Sequence, residues 1–245
     1  MPRTLQQLFD LSGKTALVTG GSHGAGLQMA HALGEAGARL MLCARQADDL
    51  EAACAELQAD GIDARWVAVD GAVEADSHKL VSETLQRMGD VDVLVNSAAV
   101  IWGGPAPDPV QAWDQVMARN VRAMFVLSQL VGQHSMMARG GRIINLAPMT
   151  TQIDTTQVDP GWRLACDTAR GAVIHFTQTL AEQWRCYGIT LNTLCLGACS
   201  GTTSAERSDG DELKGITVLL ASDAGQHITG QCFTVNTSAS LEDKT

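Results

Sequence analysis

Glycines at positions 20, 24 and 26, in the run Thr19-Gly20-Gly21-Ser22-His23-Gly24-Ala25-Gly26, have the spacing of a backbone turn that holds a phosphate. The run follows a short apolar stretch, Thr15 to Val18, and opens a helical pattern running from about Gly26 to Ala36. In that context the three glycines permit a tight turn, a close backbone approach to a pyrophosphate and tight helix packing, with the helix N-terminus facing the anion. An ordinary glycine-rich strand-to-helix turn needs no such agreement between strand, turn and helix. Ser22 and His23 sit inside the turn. His23 would add attraction for a phosphate when protonated, and a solvated loop histidine is the alternative.

A second strand ends at Leu42-Cys43-Ala44-Arg45-Gln46. An acidic residue here would bind the ribose hydroxyls of NAD, whereas an arginine meets the 2′-phosphate of NADP. Arg45 therefore points to NADP, with NAD the alternative, because no acid occurs before Asp48.

The elements that must position these residues alternate along the whole chain. Apolar, β-rich runs at Arg39 to Cys43, Ala64 to Val69, Val91 to Val95, Arg142 to Leu146, Thr190 to Leu194 and Cys232 to Val235 join the first one, with helical patterns between them. Parallel neighbours need crossover connections, so the pattern predicts an α/β fold: a Rossmann-like, doubly wound, seven-stranded parallel sheet in a single domain over 1–245. The helical patterns from about Val110 to Ala138 and from Trp162 to Tyr187 are apolar on more than one face. Such helices are buried on both sides, and a homo-oligomer would cover the second side.

A net charge of −10 and a pI of 4.9 disfavour nucleic acid and anionic membrane surfaces. No apolar stretch approaches a membrane span, and the start of the chain lacks a secretory pattern. The seven cysteines are odd in number, scattered and without a C-x-x-C pair. They predict a reduced, cytoplasmic protein with buried structural thiols and no metal centre, Cys195 and Cys199 being the nearest pair.

The spacing T-G-x-x-x-G-x-G resembles the short-chain dehydrogenase/reductase family, and further matches follow in order. Asp70, followed by Gly71, stands after the third strand; Asn96-Ser97-Ala98-Ala99 is similar to the family's N-N-A-G. Asn120 in Arg119-Asn120-Val121 matches the helix asparagine of the active site, Gly141 to Asn145 the fifth strand, and Ile228-Thr229-Gly230-Gln231 the C-terminal signature. The resemblance implies an NAD(P)-dependent oxidoreductase acting on a small hydroxy or oxo compound. It also implies that Asp70 contacts the adenine ring and that Gly71, Asn96 and Ala98 border the cofactor.

The resemblance breaks where the family's serine, tyrosine and lysine stand. Aligning the helix from Gly171 to Ala181 places Cys166 at the tyrosine, Arg170 at the lysine and Pro148 at the serine. The sole tyrosine, Tyr187, follows this helix, and none of the lysines at 14, 79, 214 and 244 is near it. The segment at about 198–212, where the family carries its substrate lid, is short, and Val235-Asn236-Thr237-Ser238 replaces V-D-G-G. Two expectations follow. The first is a catalytically impaired member that binds NADP(H), for which a substrate is doubtful. The second is a working oxidoreductase in which Cys166, Arg170 and Asn120 form an altered catalytic group, with Arg170 favouring the Cys166 thiolate.

Overall fold

The computed structural model describes residues 2–97, 108–147, 160–196 and 211–235. The strands are β1 (Thr15–Thr19), β2 (Arg39–Ala44), β3 (Ala64–Ala68), β4 (Val93–Asn96), β5 (Gly141–Ala147), β6 (Ile189–Leu196) and β7 (Cys232–Val235). They form one seven-stranded sheet in the order β3-β2-β1-β4-β5-β6-β7. Every pairing is parallel. Each expected strand is present with its ends moved by at most two residues, because strands covered on both faces read as unbroken apolar runs.

The two faces are covered by different helices. On β1, Ala16 and Val18 join a core with α2 (Gly24–Glu35), α3 (Ala47–Ala59) and α8 (Lys214–Ala221). Leu17, pointing to the opposite face, joins a core with α4 (Glu74–Met88), α6 (Ala123–His134) and α7 (Pro160–Trp184). This two-sided alternation is the period-2 geometry of a strand applied to a buried sheet. Among the described residues α5 (Pro109–Met117) and the short α1 (Leu5–Phe9) complete the α-helices. Asp108 caps α5 by accepting hydrogen bonds from the N–H groups of Val110 and Gln111, and Pro109 follows at the first helical position.

The outer edge of β3 is closed by side chains. Gln58 donates to the Ala64 carbonyl at 2.8 Å and Arg87 to the Trp66 carbonyl at 3.1 Å. The edge that could template another strand is thereby occupied.

Between α5 and α6 the chain makes one π-helical turn, Ala118–Arg122, with Asn120 1% exposed inside it. The turn accommodates one extra residue in the helix, a feature concentrated at functional sites. None of the described helices is long and apolar enough to cross a membrane.

Candidate active site

The strand order reverses direction between β1 and β4, and in open α/β sheets the ligand crevice lies outside the carboxyl ends of the strands at such a point. Thr19, the last residue of β1, bridges the reversal: its hydroxyl donates to the Val95 carbonyl at 3.3 Å and accepts from the Ser97 N–H at 3.0 Å. Beyond it the glycine turn runs back into α2. Gly20 has φ +63° and Gly24 φ +56°, conformations that glycine adopts at little cost. Gly26 is needed for a different reason. A Cβ there would stand 2.2 Å from the Gly20 carbonyl oxygen, so turn and helix touch through bare backbone.

His23 occupies the N-cap of α2 without a side-chain cap hydrogen bond, its Nδ1 lying 2.8 Å from the Ser22 hydroxyl instead. The first N–H groups of α2 therefore face outward uncapped, with the positive end of the helix dipole behind them. The end of the helix suits an anion.

A cavity of about 180 Å³ lies at the carboxyl ends of β1, β2 and β3. Gly20, Ser22, His23, Arg45, Asp70, Gly71 and Asn96 all line it, so residues widely spaced in sequence meet in one crevice. Its apolar walls are Cys43, Val69, Leu80, Met124 and Leu127, a surface for a flat base. It is smaller than the roughly 300–1,000 Å³ of a site for a whole drug-sized ligand, which suits one end of a dinucleotide. Burial pushes the Cys43 thiol up to about 12, leaving it an uncharged wall group. Asp70 is held at the rim: its carboxylate accepts from the Ala72 N–H at 3.1 Å and from Arg119 at 3.4 Å.

Beneath the crevice runs a buried polar chain. Asn96 donates to Ser128 at 3.2 Å and to Asn145 at 2.8 Å, and Asn145 donates to Thr177 at 2.9 Å. Thr177 in turn donates its hydroxyl to the Val173 carbonyl at 2.8 Å. The chain ties β4, β5, α6 and α7 together at the depth of the site.

Cys166 and Arg170 are on α7, and neither lines the cavity. Cys166 is 7% exposed and packs with Ala112, Val116, Trp162, Ala165 and Ala169. Its thiol is raised by burial and then by Asp167. This differs from the expectation that Arg170 favours a thiolate at 166: both causes oppose the charged form, and Arg170 is not among them. The pull of Arg170 falls on Cys232. Burial and the adjacent Cys195 push that thiol up to about 11, and Arg170 opposes them. Cys195 and Cys232 lie 3.4 Å apart, and Cys199 is outside the described residues. Cys186 and Cys232 are exposed, against the expectation of buried thiols throughout. Tyr187 is 44% exposed in the turn after α7. Ala98, Pro148 and nearly all of the short segment at 198–212 lie outside the described residues.

Sequence reasoning passed over Thr19, Arg119 and the apolar wall from α4 and α6. Arg119 had one signal: it is a charged residue immediately before Asn120, in a stretch otherwise read as buried.

A parallel doubly wound sheet, a glycine turn in front of an uncapped helix and an apolar cavity at the switch point define a Rossmann-like dinucleotide-binding fold. The chain belongs to the short-chain dehydrogenase family, whose pattern matches residues 14–212. It is 28% identical to a gluconate 5-dehydrogenase of Gluconobacter oxydans, over 94% of this chain and 95% of that one. It is 31% identical to a D-threitol dehydrogenase of Mycolicibacterium smegmatis, over 91% of each chain. Among solved structures it is similar to a gluconate 5-dehydrogenase from Burkholderia cenocepacia in complex with NADP and tartrate. That likeness has a TM-score of 0.80 at 27% identity and covers 99% of this chain and all of the other. At the level of the family, the chain is an NAD(P)-binding oxidoreductase.

Proposed function

We propose that this protein binds NADP(H) in the crevice and is an oxidoreductase of reduced catalytic power toward a small hydroxy or oxo compound. The nucleotide end of the site carries the first half of the proposal. The glycine turn and the amino end of α2 would hold the pyrophosphate, Arg45 the 2′-phosphate, and Asp70 with Gly71 the adenine. Asn96 and Ala98 would border the rest. The cofactor would supply or accept the hydride.

Similarity to polyol and sugar-acid dehydrogenases over nearly the full length favours a working enzyme over a protein that only binds nucleotide. The residues at the acid–base positions favour a slow one. Cys166 keeps its proton at neutral pH, because burial disfavours the thiolate. A thiol nevertheless falls a ring's length short of where a phenol at the same position would end. It is also packed among apolar side chains. Pro148 has no hydroxyl to orient a carbonyl, and Arg170 offers a planar fork where the family has a compact ammonium. Asn120, buried in its π-helical turn, would help to order the site. The short segment at about 198–212 would leave the substrate more open to water.

Losing a positioned general acid costs about 10²- to 10⁴-fold in rate. NADPH oxidation measured with a panel of small sugar-acid and polyol ketones should therefore be slow in the wild type and unchanged in Cys166→Ala. It should rise at least about tenfold in Cys166→Tyr/Arg170→Lys, the lower end of what a restored acid supplies. Wild-type turnover near 10 s⁻¹, about the median for enzymes, that Cys166→Ala abolishes would make the thiol a full catalytic acid and contradict the proposal.

The exposed Val110, Trp113, Phe125 and Leu164 on α5, α6 and α7 support a homo-oligomer that buries these helices further.

A further inference from the structure

We infer that Arg119 is a positioning residue of the nucleotide end of the site, holding the Asp70 carboxylate so that it selects a base with an exocyclic amine. The inference rests on the proposed binding of NADP(H) with Asp70 at the adenine, and goes further to the residue that holds Asp70 for that contact.

The geometry of the rim carries the argument. Asp70 is one-third exposed, at the mouth of a cavity whose depth is apolar. One carboxylate oxygen accepts from the Ala72 N–H and the other from Arg119 Nη2, and each keeps a lone pair for a further donor. The Ala72 bond is local to the turn after β3. The Arg119 bond crosses 49 positions of sequence from the π-helical turn, and it sets the orientation of the carboxylate against the cavity. Without it, rotation about the side-chain bonds would let Asp70 swing to solvent. A fixed carboxylate at the edge of an apolar slot is a reader of N–H donors. An adenine amino group satisfies it, whereas a carbonyl oxygen at the same ring position would set acceptor against acceptor. Sites that hydrogen-bond a ligand group reject analogues without it, because their own polar groups are then left unpaired.

The π-helical turn gives Arg119 its reach. It also carries Arg122, three residues on, which pairs with Glu74 at the start of α4. The two arginines pin the β3–α4 connection at two points, but Arg122 does not line the cavity. That difference separates carboxylate positioning from simple anchoring of the connection.

The test is a fluorescence titration of NADPH and its 6-deamino analogue, the reduced nicotinamide hypoxanthine dinucleotide phosphate, into the full-length protein and three variants. Wild type should bind the adenine form about tenfold more tightly. Arg119→Met should reduce that ratio to about threefold or less, Arg119→Lys should restore part of it, and Arg122→Met should leave it at the wild-type value. Thermal melts of the variants give an independent check that they are folded. An Arg119→Met protein that keeps the wild-type ratio overturns the inference, as does one that weakens both dinucleotides equally, which would mean a direct phosphate contact. Wild type that binds both forms equally overturns the inference and leaves NADP(H) binding standing. Wild type that binds neither overturns both.

Discussion

Replacing Gly26 by alanine should weaken NADPH binding at least about tenfold while Gly171→Ala on α7 leaves it intact. At Gly26 the added Cβ meets the Gly20 carbonyl oxygen at 2.2 Å and its carbon at 2.7 Å, with the Ser97 hydroxyl at 3.1 Å. Two of these are backbone atoms of the turn itself, so no rotamer change relieves the contact. The turn or the helix must shift. Overpacking of this kind costs about 1–3 kcal/mol of stability, and here the displaced atoms are the ones that would face the pyrophosphate. The expected loss in NADPH affinity is at least about tenfold, or ~1.4 kcal/mol. A methyl group on Gly171 would meet nothing within 4 Å, and glycine inside a helix costs about 0.5–1 kcal/mol relative to alanine. Gly171→Ala should accordingly raise the melting temperature slightly and leave the titration unchanged. Equal behaviour of the two variants would contradict the packing account of Gly26.

Asn145→Leu should be the most destabilising single substitution in the polar layer beneath the site. Asn145 is fully buried, accepts from Asn96 and donates to Thr177, both of them buried as well. Leucine has a similar volume, so the loss is one of hydrogen bonding more than of packing. Among the described residues Asn96 would keep its longer bond to Ser128, and the Thr177 hydroxyl oxygen would lose the Asn145 donor. Stranding two buried polar groups costs about 1–3 kcal/mol each before relaxation, giving roughly 3 kcal/mol in all. For a chain of this size that is a fall of about 6–12 °C in melting temperature, readable by calorimetry or circular dichroism. A fall below about 2 °C would show that the chain of bonds contributes little. Because the same bonds join β4 to α7, the variant should also bind NADPH more weakly.

The strands were legible because a sheet covered on both faces leaves continuous apolar runs, and β1 and β6 are buried at every position. The glycine turn was legible because it is local: three glycines within one strand-to-helix turn, two of them at positive φ and the third packed against the backbone of the first. Arg45 and Asp70 could be placed for the same reason, each standing at the end of a strand whose limits the sequence marks. Arg119 was not, because its partner lies across the fold and the π-helical turn that aims it depends on a backbone hydrogen-bond shift without a residue pattern of its own. The Cys195–Cys232 approach was hidden likewise, by a strand pairing that joins residues 37 positions apart. Helical spacing alone suggested that Arg170 would act on Cys166. Burial decides the state of that thiol instead, and burial is a property of the packed helices α5 and α7.

The crevice at the switch point is proposed to bind NADP(H) with Cys166, Arg170 and Pro148 standing at the positions where the family resemblance places proton transfer. Calorimetric titration of NADPH and NADH into the wild-type protein and into Arg45→Ala tests it most directly. Saturable binding of NADPH is expected, tighter than NADH in the wild type by about tenfold or more, with the preference lost in Arg45→Ala. No heat of binding with either dinucleotide, or equal affinities before and after the substitution, would contradict it.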